Sequence, residues 1–293
     1  MPRWVGIALL LGIATVFGSN HVAARVAFDH GTNVTTAVAV RSAGTALIVL
    51  LLLLSTGTPL KVGQKTFGHS VLIGLLIAVQ SYCLYSAVAL IPVALALLAF
   101  QTFPMQLSLI SWLGGGERPT RRVLLAMPVA LAGLALALDV YGKSGDVAGR
   151  WTEVGAGVLW AFGASVSFAM AMFLVTRWLG SMDGRLRSFL FMSVVAVVAL
   201  AAGTAAQAFA LPVDGTGWIA LALLTLFYGT AITSTFVLLP KLGMVNNAAV
   251  LNFEPIAVLG LAWLVLDQSV APLQIVGAFI VVGSIIWMGA GKR

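Results

Sequence analysis

Charge is scarce in this sequence: 9% of its 293 residues are charged, against 60% hydrophobic ones. At a mean hydropathy of +1.06, a water-soluble fold would hold more apolar area than it could bury, so the chain reads as an integral membrane protein. Cysteine is scarcer still. The single Cys83 excludes an intramolecular disulfide framework and any cysteine-cluster metal site. His21, His30 and His69 stand in three separate segments, so no metal centre is expected. Catalytic spacings are missing too, with no HExxH, no serine–histidine pairing within a span and no clustered carboxylates. Gly142-Lys143-Ser144 has Ala137 where a phosphate loop needs glycine, and no strand precedes it. The chain is therefore not expected to be an enzyme or to carry a cofactor. Its net charge of +7 comes from basic residues scattered at segment ends, which argues against nucleic acid as a partner. The sequon Asn33-Val34-Thr35 lies too close to a span to be glycosylated.

What the sequence has is apolar length. With about 20 apolar residues per crossing, spans fall near 4–28, 33–55, 67–90, 93–114, 122–141, 153–176, 187–207, 216–239, 245–266 and 273–290. That predicts an all-α membrane protein of ten helices, the shortest connection being Ile91-Pro92. The first stretch is too long for a signal-peptide core and is read as a retained span. With the N-terminus inside, twelve basic residues fall on inner connections and ends and only Lys143 and Arg150 on outer ones. This bias supports an even helix count with both termini cytoplasmic.

The chain also repeats itself. Pro104 and Pro255, Trp112 and Trp263, and Glu117 and Gln268 are each 151 positions apart, and Arg25 and Arg177 are 152 apart. One nearly constant register points to a duplicated five-helix unit, residues 1–143 and 150–293, forming one transmembrane domain. Five is odd, so the second unit enters the membrane from the opposite side. Inverted halves of this kind build alternating-access transporters with a midplane site.

The stretch Asn246–Gln268 holds Asn252, Glu254 and Pro255 near the middle of an apolar span. A carboxylate and a helix-disrupting proline at that depth are unfavourable, so they mark a site. Pro104 marks the corresponding place in the first unit, where Gln101, Pro104 and Ser108 share one helical stripe. Pro104 and Pro255 are candidate helix breaks or gates. Glu254 either pins the broken helix or handles a proton or substrate. Arg41, about 12 Å into the second span by helical rise, either snorkels outward or joins Glu254 as a candidate coupling residue. Arg25 and Asp29 are spaced to pair at i, i+4.

Tyr82 and Tyr85, from a polar cluster that also holds Gln80, Ser81 and Ser86, are candidate substrate contacts, as are Ser165 and Tyr228. Most tryptophans lie near span ends and read as interfacial anchors, but Trp160 lies deeper and is a ligand candidate. Ala126, Ala130, Gly133 and Ala137 form a stripe suited to close helix packing.

GSNHVAAR (18–25), FPMQLSLISWLGGGERPT and FEPIAVLGLAWLVLDQSVAP resemble the signature segments of EamA-type members of the drug/metabolite transporter superfamily, most closely the YddG-type aromatic amino-acid exporters. The second copy departs from the pattern, with Asp267-Gln268 where Gly-Glu is usual. That departure concerns helix termination, because it lies far from the midplane. The resemblance implies a bacterial inner-membrane exporter of amino acids with aromatic or large apolar side chains. It also makes Asn20 a candidate substrate contact, alongside Gln101 and Asn252. The partners expected are the amino acid, the lipid bilayer and a proton as candidate coupling ion, with the protein a monomer. The alternatives are transport of a phosphorylated or nucleotide-linked solute and, in a different class, an intramembrane enzyme or passive channel.

Overall fold

The computed structural model describes residues 3–115, 121–137, 147–242, 253–267 and 271–289. Every regular element among them is a helix: α1 (Arg3–Asp29), α2 (Val34–Ser55), α3 (Gln64–Leu90), α4 (Val93–Phe100), α5 (Phe103–Leu113), α6 (Arg121–Ala137), α7 (Val147–Trp178), α8 (Gly184–Ala205), α9 (Gly215–Leu242), α10 (Glu254–Leu266) and α11 (Pro272–Gly289). Seven described spans, with α4 and α5 taken together, are long and apolar enough to cross a membrane. Segments of α6, α10 and α11 are shorter and equally apolar.

The fourth expected span is broken. Pro104 has no N–H to give, so the carbonyl of Phe100 has no helical partner there. The chain answers by ending α4 at Phe100 and starting α5 at Phe103, with Pro104 in its first turn, where a missing N–H is tolerated. At the end of α4, Thr102 Oγ1 donates to the carbonyl oxygen of Ala99 at 2.7 Å. In the second unit α10 likewise starts just ahead of its proline, at Glu254 with Pro255 in its first turn. Both helices also end on left-handed backbone, at Gly115 (φ 85°) after α5 and at Asp267 (φ 49°) after α10. Gly116, Glu117 and Gln268 lie outside the described residues.

The helices pack reciprocally. In the register of the repeat, α1, α2, α3, α4/α5 and α6 match α7, α8, α9, α10 and α11. The α1–α9 contact then has its counterpart in α7–α3, α1–α10 in α7–α4/α5, and α3–α8 in α9–α2, while α2–α8 and α6–α11 pair matched helices. At α6–α11 the backbones nearly touch. A Cβ on Gly277 would stand 2.4 Å from Ala137 N and 2.5 Å from the carbonyl oxygen of Gly133. Ala126, Ala130 and Ala137 are fully buried, so their small-residue stripe packs within the protomer.

The α1–α2 connection is fastened to the α8–α9 connection. Val213 N donates to the His30 carbonyl at 3.0 Å, and Asn33 Nδ2 to the Ala208 carbonyl at 2.5 Å. Ala210 N donates to Thr36 Oγ1 at 3.0 Å, and His30 Nδ1 lies 2.7 Å from Asp214 Oδ2. Hydrogen bonds from Gly217 N first, then from His30, hold the exposed Asp214 carboxyl below the usual carboxylate range. At the matching place in the repeat, Arg185 Nη1 donates to Thr56 Oγ1 at 3.1 Å. Arg185 also holds the Asp183 carboxyl below its ordinary range, chiefly through their side-chain hydrogen bond.

Candidate functional site

Five helices bring polar side chains to one place inside the bundle. Residues four apart share a helix face, so α1 presents Phe17 and His21, α2 presents Arg41 and Thr45, and α3 presents Ser81 and Tyr85. Tyr228 comes from α9 and Glu254 from the first turn of α10.

Tyr85 is fully buried at the centre. Its hydroxyl donates to Asn20 Oδ1 at 2.6 Å, and Asn20 Nδ2 donates to the Phe17 carbonyl at 2.7 Å. This fixes the ring, which meets His21 at 5.8 Å between centroids and Phe28 edge-on at 6.1 Å. Arg41 Cζ lies over the same ring, 4.8 Å from its centroid, and over the Tyr228 ring at 4.1 Å. Tyr228 is in turn held edge-on by Phe17 at 5.9 Å.

Arg41 does not snorkel to an interface. It is 3% exposed, its Nη2 donates to Ser81 Oγ at 2.9 Å, and its Nε has no hydrogen-bond partner. Among the described residues no carboxylate lies within ion-pair distance of it. Arginine remains charged in proteins, so a fixed cation is buried here on aromatic faces. The neighbouring hydroxyls of Ser42 and Thr45 are also buried and unpartnered.

Glu254 is the acidic residue of the cluster. Its Oε1 lies 3.5 Å from His21 Nε2, an ion pair when the histidine is protonated, and 23% of its side chain remains accessible. His21 Nδ1 is buried without a partner. The carbonyl that Pro255 leaves without an N–H is that of Leu251, outside the described residues, as is Asn252.

A second polar group occupies the break between α4 and α5. Ser165 Oγ donates to Gln106 Oε1 at 2.6 Å and lies 3.1 Å from Thr102 Oγ1, to which Gln106 Nε2 donates at 3.2 Å. Gln101 is buried beside them in sequence. The rings of Phe100, Phe103 and Phe168 cluster at the same break, with centroids 4.9 to 5.6 Å apart.

The structure thus joins Asn20, Tyr85, Arg41, Tyr228 and, through His21, Glu254. It places Gln101 and Ser165 at the neighbouring break with Pro104. Tyr82 is half-buried on α3 with its hydroxyl unpartnered. Trp160 is 45% exposed beside exposed Leu159, and among the described residues its ring touches none of the cluster. Arg25 pairs with Asp29 at 3.1 Å as expected, and its Nη1 also reaches the Val88 and Ala89 carbonyls. Sequence reading passed over His21, Gln106 and Thr102. The signal for His21 was its position: the residue after Asn20, one turn from Phe17, inside an apolar span.

The sequence profile of the EamA-like transporter family matches residues 4–138 and again residues 155–290. The two matches start 151 positions apart, the register that separates Pro104 from Pro255. No curated protein matches the chain. A crystal structure of a protein solved previously has a similar fold, with a TM-score of 0.65 at 17% identity over 98% of each chain.

Proposed function

This chain belongs to the EamA-like transporter family, and on that premise we propose that it is a secondary exporter of amino acids, preferring aromatic or large apolar side chains. It is a multi-pass membrane protein with the two-repeat architecture of a family of transporters. The observation that carries the reading is Glu254. Its carboxyl group, the complement of a substrate ammonium, sits in the first turn of α10 in the second unit against His21 of the first unit and shares its site with the Tyr85 and Tyr228 rings. Aromatic faces in an apolar surround favour large flat side chains without fixing one of them.

The reciprocal packing supports two inverted five-helix repeats, residues 1–143 and 150–293, making ten crossings in the manner of the YddG-type exporters. Alternating access is then rocking of one repeat against the other around the Arg41–Glu254 site. In that topology both termini are cytoplasmic in a bacterial inner membrane, and the fastened α1–α2 and α8–α9 connections seal the outer end. The unit is a monomer. Glu254, with His21, holds the coupling proton when no ammonium is bound.

Arg41 favours a second reading, export of a phosphorylated solute. Phosphate takes more than one fixed cation, however, and Glu254 lies in the same site. The test is growth of cells expressing the protein on toxic aromatic amino-acid analogues. Export gives resistance, increased sensitivity overturns the direction, and protection lost only on adding organic phosphates supports the second reading.

A further inference from the structure

A buried charge without a counter-ion is strongly unfavourable. Cation–π contacts offset only part of that, so two tyrosine rings and one serine leave Arg41 under-compensated. Its clamp has a consequence for shape. The Tyr85 and Tyr228 rings lie within 5 Å of the guanidinium carbon and occupy its surroundings with π faces that accept no strong hydrogen bond. Ser81 takes one N–H of Nη2, while Nε–H has no acceptor. Next to Arg41 on α2, the Ser42 hydroxyl is buried and unpartnered as well.

We propose that Arg41, clamped between Tyr85 and Tyr228, is the receptor for the carboxylate of the transported solute, so that a free carboxylate is required for recognition. This rests on the export reading only in taking the solute to be an amino acid. A carboxylate is planar and accepts two parallel N–H bonds from a guanidinium fork, and the unpartnered Nε–H supplies one of them. A single negative charge is neutralised by one arginine. A phosphate dianion is not, and it would also face Glu254. A carboxylate held at Arg41 leaves the ammonium to the acidic side of the cluster, where Glu254 lies beside His21, and leaves the side chain to the aromatic and apolar walls. Recognition is therefore strict for the amino-acid backbone and loose for the side chain.

The experiment measures binding to the purified full-length protein in detergent by calorimetry, with phenylalanine, 3-phenylpropanoate (carboxylate, no amine), phenylalaninamide (amine, no carboxylate) and acetate as ligands. Phenylalanine binds tightest, 3-phenylpropanoate still binds, and the amide is weaker than phenylalanine by about 30–100-fold, the loss of a charge-assisted pair. Arg41→Lys, checked by elution profile and melting, weakens both acids by a similar factor and leaves the amide unchanged. Amide binding within about threefold of phenylalanine, or acid binding unaffected by Arg41→Lys, overturns the proposal, and the ligand series on the native protein decides even if the variant misfolds. Carboxylates bound through Arg41 with no gain from an amine or a ring leave the carboxylate site standing and remove the amino-acid reading. Equal binding of acid and amide does the reverse.

Discussion

Tyr85 joins Arg41 to the His21–Glu254 pair, its ring under Arg41 and against His21, its hydroxyl on Asn20. Tyr85→Phe keeps the ring and leaves Asn20 Oδ1 buried without its donor, which should lower stability by about 1–3 kcal/mol in denaturant titration. Glu254→Gln keeps the shape and removes the charge and the proton. The variant should insert and exchange solute, yet lose the acceleration that an imposed pH gradient gives, and an unchanged rate with the gradient on and collapsed would remove Glu254 from the mechanism. Glu254 and Arg41 were legible in the sequence because charge inside an apolar span is rare and unfavourable. What was not legible was where Arg41 points. Helical rise gives depth along one helix, and the direction of a side chain around it is decided by which neighbours offer rings and hydroxyls. His21 escaped for a related reason: histidines were weighed as metal ligands, which need one another, and this one needs a carboxylate 233 positions away.

Among the elements, the α6–α11 pair is the most sensitive to a single methyl group. Gly277→Ala places a Cβ against the Ala137 and Gly133 backbones, where nothing flexible can yield, and should lower stability by about 1–3 kcal/mol through overpacking. Gly283→Ala lies on the same helix with nothing within 4 Å, and its melting temperature should match the native protein, as a control. The packing stripe on α6 was readable because small residues at four-residue spacing have few other uses in a membrane helix. The break at Gln101–Thr102 was half readable. Pro104 announces a lost hydrogen bond, but a proline can bend a helix or end it, and here α4 ends at Phe100, with the Thr102 hydroxyl on the Ala99 carbonyl. At the far end of α10, the departure from glycine at Asp267 does fall on helix termination, with aspartate adopting the left-handed turn.

At the scale of the whole molecule, most span boundaries came close to the ends of the described helices because apolar length and turn chemistry are local, while the expected end at 141 and start at 245 lie outside the described residues. The fastening between the α1–α2 and α8–α9 connections was invisible, since it joins residues about 174 to 184 positions apart through side-chain and backbone groups. Asn33 is its hinge: Oδ1 caps α2 by accepting from Thr36 N at 2.9 Å while Nδ2 crosses to Ala208. Asn33→Ala should cost about 1 kcal/mol from the cap alone, and hydrogen exchange across 206–213 should rise with it. Asp214 adds a pH dependence of known sign. Its folded pKa is depressed, so its contribution is present above the ordinary carboxylate range and is lost as pH falls through the folded value. The melting difference between native protein and Asp214→Asn should therefore shrink as pH falls through the folded value and vanish in acid. In the transport proposed here, the two repeats rock around a shared site and move amino acids without chemical conversion. Liposomes containing only the purified protein, preloaded with unlabelled phenylalanine and given labelled phenylalanine outside without ATP, test it most directly. The account predicts a transient, saturable accumulation of intact label that glycerol phosphate does not inhibit. Absence of accumulation above empty liposomes, or recovery of the label in a converted form, would contradict it.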